Sequence, residues 1–171
     1  NVLKYFINVC KTKDIKFFVM YGQTEASPRM SFVPPEMIDT KAGSIGTPIQ
    51  NGKFSLQKED SDEEGELVYE GDNVCMGYAF DHHDLEKKDE NNGVLKTGDI
   101  AKVDKDGYYF ITGRKKRMLK LYGVRINLDS IESKLLQQGF NCVCIGNDKE
   151  LKVLTKDKNY SAQIKNYLVK K

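Results

Sequence analysis

The sequence predicts an α+β protein, with a β-rich region built as a small antiparallel barrel or sheet, followed by a small α+β unit. Glycines at 46, 52, 65, 71, 77, 93, 98 and 107 punctuate segments of alternating polarity between residues 43 and 114, as short strands joined by tight turns require. After Gly113 the character changes to a basic run, RKKRMLKLYG, and then to helical and strand periods in alternation. The chain has 171 residues, 39% of them hydrophobic and 30% charged, with 4 prolines, which suits one domain plus a small second one and excludes wholesale disorder. We expect a first domain over 1–115 and a second over 116–171, with the boundary at Lys116.

Val2, Leu3, Phe6, Ile7 and Cys10 recur at helical spacing. Phe17 to Met20 is a short apolar run bounded by Gly22, read as a buried strand that ends in a sharp turn at YGQTE. KFSLQ, ELVYE, VLKTGDIAKV and GYYFITG read as the strands of the β-rich region, and Asp106-Gly107 as a hairpin turn between the last two. In the second unit Asn127 or Asp129 can cap a helix carrying Ile131, Leu135 and Leu136, and Gly139 closes it. A strand FNCVCIG, a hairpin at Asn147-Asp148, a strand ELKVL and a helix with Tyr160, Ile164, Tyr167 and Leu168 follow. A unit of about 55 residues is near the lower limit for stability on its own.

No apolar run approaches the ~20 residues that span a bilayer, and no basic-then-apolar leader opens the chain, so a membrane span and a signal peptide are not expected. The net charge of +2 neither requires nor forbids an anionic ligand. Residues 59–64, EDSDEE, read as a solvated acidic loop. Cys10, Cys75, Cys142 and Cys144 lack zinc-site spacing and are expected as buried, reduced thiols of a cytoplasmic protein, with Cys142 and Cys144 on one face of a strand. His82 and His83 are adjacent, and because neighbouring side chains diverge, no metal is expected there. The chain opens on Asn1, which reads as a processed or excised piece of something longer.

Three features point to an anionic, nucleotide-like ligand. Tyr21-Gly22-Gln23-Thr24-Glu25 follows a strand, where α/β sheets present ligand loops; it offers an aromatic face, an open glycine, a hydroxyl for phosphate and a carboxylate for Mg²⁺. Leu95-Lys96-Thr97-Gly98-Asp99 sets a carboxylate beside a glycine within an apolar alternation. There Asp99 can accept both hydroxyls of a ribose or cap a Gly-Asp bulge. Only 4 of the 27 basic residues are arginine, yet Arg114, Arg117 and Arg125 all fall within 114–125. Chance would put roughly one there, and the planar guanidinium fork suits phosphate or ribose oxygens in a way that lysine does not.

YGQTEAS, GSIGTP, GELVYEG, LKTGDIA and GRKKRMLKLYGVRINLDSIE, in this order, resemble the later core motifs of the adenylate-forming superfamily: acyl-CoA synthetases, luciferases and peptide-synthetase adenylation domains. The resemblance spans residues ~15 to ~155, and five motifs in order are specific. The form MYGQTEASPRMSFVPPE is similar to bacterial acyl ligases of that family, including those of surface-polymer or fatty-acid and lipid pathways. It implies an ATP-dependent ligase that joins a carboxylic acid to AMP with release of pyrophosphate, then passes the acyl group to a thiol of coenzyme A or a carrier phosphopantetheine. By resemblance Tyr21 stacks on adenine, Gly22 lines the acyl pocket, Thr24 bonds phosphate, Glu25 holds Mg²⁺, and Asp99 with Arg114 grips the ribose. Lys116 matches the hinge between domains, Lys120 and Arg125 lie near the nucleotide, and Gly123 lines the passage of the thiol substrate.

The sequence departs from the family at Asn127-Leu128-Asp129-Ser130, where an acidic pattern is common. It also lacks the family's Ser/Thr/Gly-rich phosphate loop and its final Gly-Lys adenylation segment. The expected reading is therefore the end of a large domain plus a truncated small one, inactive alone. The alternatives are a nucleic-acid-binding module on residues 114–125, with Tyr122 for stacking, or a non-catalytic interaction fragment.

Overall fold

Helix α1 (Val2–Thr12) opens the first of two units, residues 1–112 and 113–171, in the computed structural model. The structure describes residues 2–58, 63–157 and 159–169. The helix buries Ile7 with Val33 and Ile38, and Leu3, Phe17 and Val19 pack on that cluster. Strand β1 (Val19–Tyr21) pairs antiparallel with β2 (Ser31–Val33), which pairs with β3 (Thr47–Pro48). The expected buried strand is a half-buried one. Alternate side chains point to opposite faces, so Phe17, Val19 and Tyr21 pack inward while Phe18 and Met20 remain 43% and 46% exposed.

A four-stranded sheet, in the order β4 (Lys53–Gln57), β5 (Gly65–Glu70), β6 (Val94–Val103), β7 (Tyr109–Arg114), forms the centre of the first unit. Among the described residues it does not close into a barrel, so of the two forms expected the sheet is present. Closure needs a free edge on β7, but Tyr109 is already bridged by the preceding loop: Ile45 N–H donates to Tyr109 O at 2.9 Å, and Tyr109 N–H donates to Gly46 O at 3.1 Å. Strand β5, paired on both edges, is buried from Gly65 to Tyr69. Phe54, Leu67, Tyr69 and Ala101 form its core, and Ala26 and Met30 from the segment after β1 are buried in the same cluster. Of the predicted acidic loop, residues 59–62 lie outside the described residues, and Glu64 accepts a hydrogen bond from Thr112 Oγ1 at 2.9 Å instead of being merely solvated.

In the second unit β8 (Met118–Leu121) and β9 (Val124–Asn127) form a hairpin, followed by α2 (Leu128–Gln137), the antiparallel pair β10 (Cys142–Asn147) and β11 (Glu150–Thr155), and α3 (Tyr160–Val169). Of the two candidate caps Asn127 is used: its side chain accepts from Ser130 N–H. At the other end Phe140 N–H reaches Leu135 O and Gly139 N–H reaches Leu136 O, with Gly139 at φ +87°, a Schellman closure. Leu128, Leu135, Cys144 and Ile164 make the core. Burial pushes the Cys144 thiol pKa up to about 11, whereas Cys10, Cys75 and Cys142 are only half-buried, which corrects the expectation of four buried thiols.

Arg117 is the polar centre of this unit. Its guanidinium donates to Asp129 Oδ1 at 2.8 Å, to Glu132 Oε1 at 2.5 Å and to Cys144 O at 2.9 Å, and Glu132 Oε1 also accepts from Cys144 N–H at 2.6 Å. The two carboxylates hold the guanidinium pKa above its usual value, Asp129 contributing first. One of the three clustered arginines is thereby engaged within the fold. Arg117→Ala removes three donated hydrogen bonds, two to α2 and one to β10, and we expect it to lower the stability of this unit by about 2 kcal/mol. Arg117→Lys should recover less than half of that, because an ammonium cannot reproduce the fork. Urea unfolding of the two variants checks both statements.

Candidate active site

The YGQTE segment is a pinched loop between β1 and β2. Met30 N–H donates to Tyr21 O at 2.9 Å and closes it. Gly22 is required there for space: a Cβ would sit 1.3 Å from Pro28 O. Thr24–Ala26 is a single 3-10 turn, ended by Ser27 in the left-handed region at φ 54°. So short a turn does not hold its own shape, and the sheet side supplies the fixings. Asn73 Nδ2 donates to Ala26 O at 2.5 Å and to Arg29 O at 3.0 Å, and Cys75 N–H donates to Glu25 O at 2.8 Å. Asn73 Oδ1 accepts from the buried Tyr69 hydroxyl, which ties this bracket to β5.

Asp99 lies in a bulge of β6. The β5–β6 register runs Glu66↔Ile100 and then Val68↔Lys96, so Thr97, Gly98 and Asp99 stand opposite Leu67 alone. Gly98 makes the bulge possible with φ +71°. Thr97 Oγ1 donates to Leu67 O at 2.8 Å and accepts from Asp99 N–H at 3.1 Å. The Asp99 residue is 1% exposed, and its Oδ2 accepts from the Tyr21 hydroxyl at 2.5 Å and from Gln23 Nε2 at 3.3 Å. Gln23 Nε2 also donates to Thr97 O at 2.9 Å. Of the two readings of Asp99, the bulge is observed, and its carboxylate is engaged by Tyr21 and Gln23. The Tyr21 ring is half-buried, with Phe54 edge-on at 6.4 Å between centroids.

Glu25 is half-buried and accepts a hydrogen bond from the Tyr78 hydroxyl. That bond holds its carboxyl below the usual carboxylate range, so the group is an anion at neutral pH. A carboxylate of this kind, completed by phosphate oxygens and water, fits Mg²⁺. Thr24, one residue earlier, is exposed. No group of three or more His, Cys, Asp or Glu among the described residues is arranged to hold a metal ion by itself. His82 and His83 lie together in an exposed 3-10 turn, their ring centroids 3.9 Å apart, so the expected divergence of their side chains is not seen.

Tyr21, Gly22, Thr24, Glu25 and Asp99 thus belong to the first unit, which brings Tyr21 and Asp99 into direct contact. Arg114, Lys116, Lys120, Gly123 and Arg125 belong to the second. Arg114 ends β7, and Lys116 is exposed in the 3-10 turn Lys115–Arg117. Lys120 and Arg125 stand directly opposite each other on the β8–β9 hairpin. Gly123 shares the hairpin turn with Tyr122, at φ +86° and +49°, a conformation that the turn itself demands. Sequence reasoning missed Gln23, Asn73 and Tyr78. Gln23 sat within a motif whose other four letters had been assigned roles, and the stretch YEGDNVCMGY over 69–78 carries no helical or strand period to single out Asn73 or Tyr78.

A family profile described as AMP-binding enzyme matches residues 2–79. A probable 4-coumarate–CoA ligase 1 from Dictyostelium discoideum is 34% identical over 120 residues, covering 68% of this chain and 22% of the relative. A 2-succinylbenzoate–CoA ligase from Geobacillus sp. (strain WCH70) is 32% identical over 137 residues, 78% of this chain and 28% of the relative. Among solved structures, o-succinylbenzoate CoA synthetase from Bacillus subtilis in complex with its acyl-adenylate intermediate aligns over 96% of this chain and 37% of that one, with 22% identity and a TM-score of 0.69. The chain thus spans between about a fifth and a third of the length of these curated relatives. No helix among the described residues is long and apolar enough to cross a membrane. With five motifs in order, a family profile over the YGQTE loop and a shared fold along nearly the whole chain, the protein belongs to the AMP-binding, adenylate-forming enzymes.

Proposed function

We propose that the chain forms part of an ATP-dependent, cytoplasmic carboxylate–thiol ligase, residues 1–115 ending its nucleotide-binding domain and residues 116–171 beginning a small mobile one. The observation that carries this reading is that one short loop holds both an ionised Glu25 and the partners of the buried Asp99. An ionised Glu25 and a second carboxylate, Asp99, suit the two ends of a nucleotide: a metal-bound polyphosphate and a ribose diol. In this reading the acid's carboxylate oxygen attacks the α-phosphorus of ATP, the bond to pyrophosphate breaks, and the thiol sulfur then attacks the acyl carbon and releases AMP. Tyr21 faces adenine, Thr24 bonds phosphate, and Asp99 with Arg114 orients the ribose. Gly22 borders the acyl group and Gly123 the pantetheine thiol. Lys120 and Arg125, paired across the hairpin, present two cations to phosphate oxygens. Mg²⁺, when bound at Glu25, neutralises charge on the phosphates.

Without the phosphate loop and the adenylation lysine, the 171-residue chain by itself has too few partners for the developing charge, so we assign the activity to a longer polypeptide containing it. The alternative of a nucleic-acid module on residues 114–125 is weakened by Arg117, whose fork is engaged by Asp129 and Glu132.

The reading is tested in that longer ligase by carboxylate-dependent ATP–pyrophosphate exchange. Glu25→Gln should shift the Mg²⁺ titration to higher concentration, while Asp99→Asn, which turns a double acceptor into a mixed donor and acceptor, should weaken ribose binding by about 1–3 kcal/mol with an unaltered Mg²⁺ midpoint. Superimposable Mg²⁺ curves for Glu25→Gln and wild type would remove the metal assignment.

Lys116 carries a separate expectation. Proline fixes φ near −65° and deletes an N–H, so Lys116→Pro should preserve adenylation while strongly slowing thioester formation from pre-made acyl-adenylate. Lys116→Ala should change neither. Equal losses in both half-reactions for the proline variant would count against the hinge.

A further inference from the structure

We propose that Gln23 is the positioning residue for ribose recognition: its amide fixes the rotation of the Asp99 carboxylate and so sets how strongly the enzyme distinguishes a ribonucleotide from its 2′-deoxy analogue. The inference rests on the proposed reading of Asp99 as the ribose acceptor. Its geometric basis is the double reach of Gln23 Nε2, 2.9 Å to Thr97 O and 3.3 Å to Asp99 Oδ2. Thr97 O is a carbonyl and can only accept, so the end of the amide that faces it is the NH₂ and not the oxygen. One hydrogen of that group goes to Thr97 O, and the other is directed to the carboxylate.

The bulge makes this contact consequential. Thr97 is anchored through Leu67 O, and Gly98, at φ +71°, has nothing within 4 Å of where a Cβ would lie, so no side chain of its own stands between Thr97 and Asp99. Gln23 spans that gap, joining Thr97 O to the side chain beyond the glycine. The Tyr21 hydroxyl, at 2.5 Å, adds a second donor to the same Oδ2. Two donors arriving from different residues restrict the rotation about the Cβ–Cγ bond more tightly than one donor does. Recognition of a diol uses two hydrogen bonds at once and depends on that rotation, whereas a single hydroxyl is satisfied over a broad range of it. Gln23 therefore contributes to binding of the diol far more than to binding of a nucleotide with one hydroxyl.

The experiment uses the ligase that contains this chain and measures binding of AMP and 2′-deoxy-AMP by calorimetry, together with kcat and KM for ATP and 2′-deoxy-ATP. Gln23→Met keeps the length of the side chain and removes both donors. We expect AMP binding to weaken about 5–10-fold and 2′-deoxy-AMP binding less than about 2-fold, so that discrimination collapses, with the change for ATP appearing in KM rather than kcat. Gln23→Ser, too short to reach Asp99, should behave alike and serves if the methionine variant does not fold. Equal weakening of both nucleotides in either variant overturns the proposal and leaves Gln23 a structural residue. Asp99→Ala separates the two levels: loss of discrimination in Asp99→Ala but not in Gln23→Met overturns the positioning role alone, while discrimination that survives Asp99→Ala overturns the ribose reading and the proposal with it.

Discussion

A carboxylate that is almost completely removed from water has to be given hydrogen-bond donors, and the arrangement around Asp99 follows from that requirement. Its backbone N–H is held by Thr97 Oγ1 and its Oδ2 is met by Tyr21 and Gln23, two residues at the end of a strand in a different sheet. The three-stranded and four-stranded sheets of the first unit are thus joined at this carboxylate as well as through the apolar cluster of Ala26, Met30 and Phe54. The same contacts that satisfy a buried charge also fix the end of the YGQTE loop. Fold and site are not separable there, because loosening one exposes or orphans the other.

The bulge in β6 is the device that makes a charged residue tolerable in the middle of a sheet. Three residues opposite one divert the strand, and the diverted backbone lets Asp99 turn toward the β1 loop while Ile100 and Ala101 return to the apolar face. A regular strand would place Asp99 on a fixed side of the pleat, with neighbours chosen by register alone. Gly98 accepts the positive φ that the diversion needs, and Thr97 replaces the lost ladder contact with its hydroxyl.

Much of this was legible in the sequence. KFSLQ, ELVYE, VLKTGDIAKV and GYYFITG alternate and became strands, and Asn127 and Gly139 delimit a helix by the chemistry of its ends. Tyr21 and Asp99 were given separate roles by resemblance, adenine and ribose, and their direct hydrogen bond was not foreseen. What could not be read was which polar side chains serve the fold. Arg117 looked like its neighbours Arg114 and Arg125 by composition, but its partners Asp129 and Glu132 come from a helix that begins only later in the chain. The openness of the four-stranded sheet was equally hidden, because the loop residues Ile45 and Gly46 that cap β7 are remote in sequence from the strand they meet. Periodicity reports which face a residue takes and says nothing about partners supplied from elsewhere.

The loop also shows why Glu25 keeps its place although a turn of three residues has little stability of its own. Its outward surface is bracketed by a single stretch, in which Asn73 holds two loop carbonyls, Cys75 N–H holds the carbonyl of Glu25 itself, and Tyr78 holds the carboxylate. The Tyr69–Asn73 hydrogen bond fastens that bracket to the most buried strand of the unit, so the position of Glu25 is inherited from β5. Asp99 is fixed through Leu67 of the same strand. Both carboxylates are therefore referred to one strand by different routes: Asp99 through the bulge opposite Leu67, and Glu25, itself a loop residue, through the contacts that tie its loop to Tyr69. On this account β5 anchors both carboxylates, and the side chains that touch them directly, Gln23 and Tyr21 at Asp99 and Tyr78 at Glu25, bear on how each is presented.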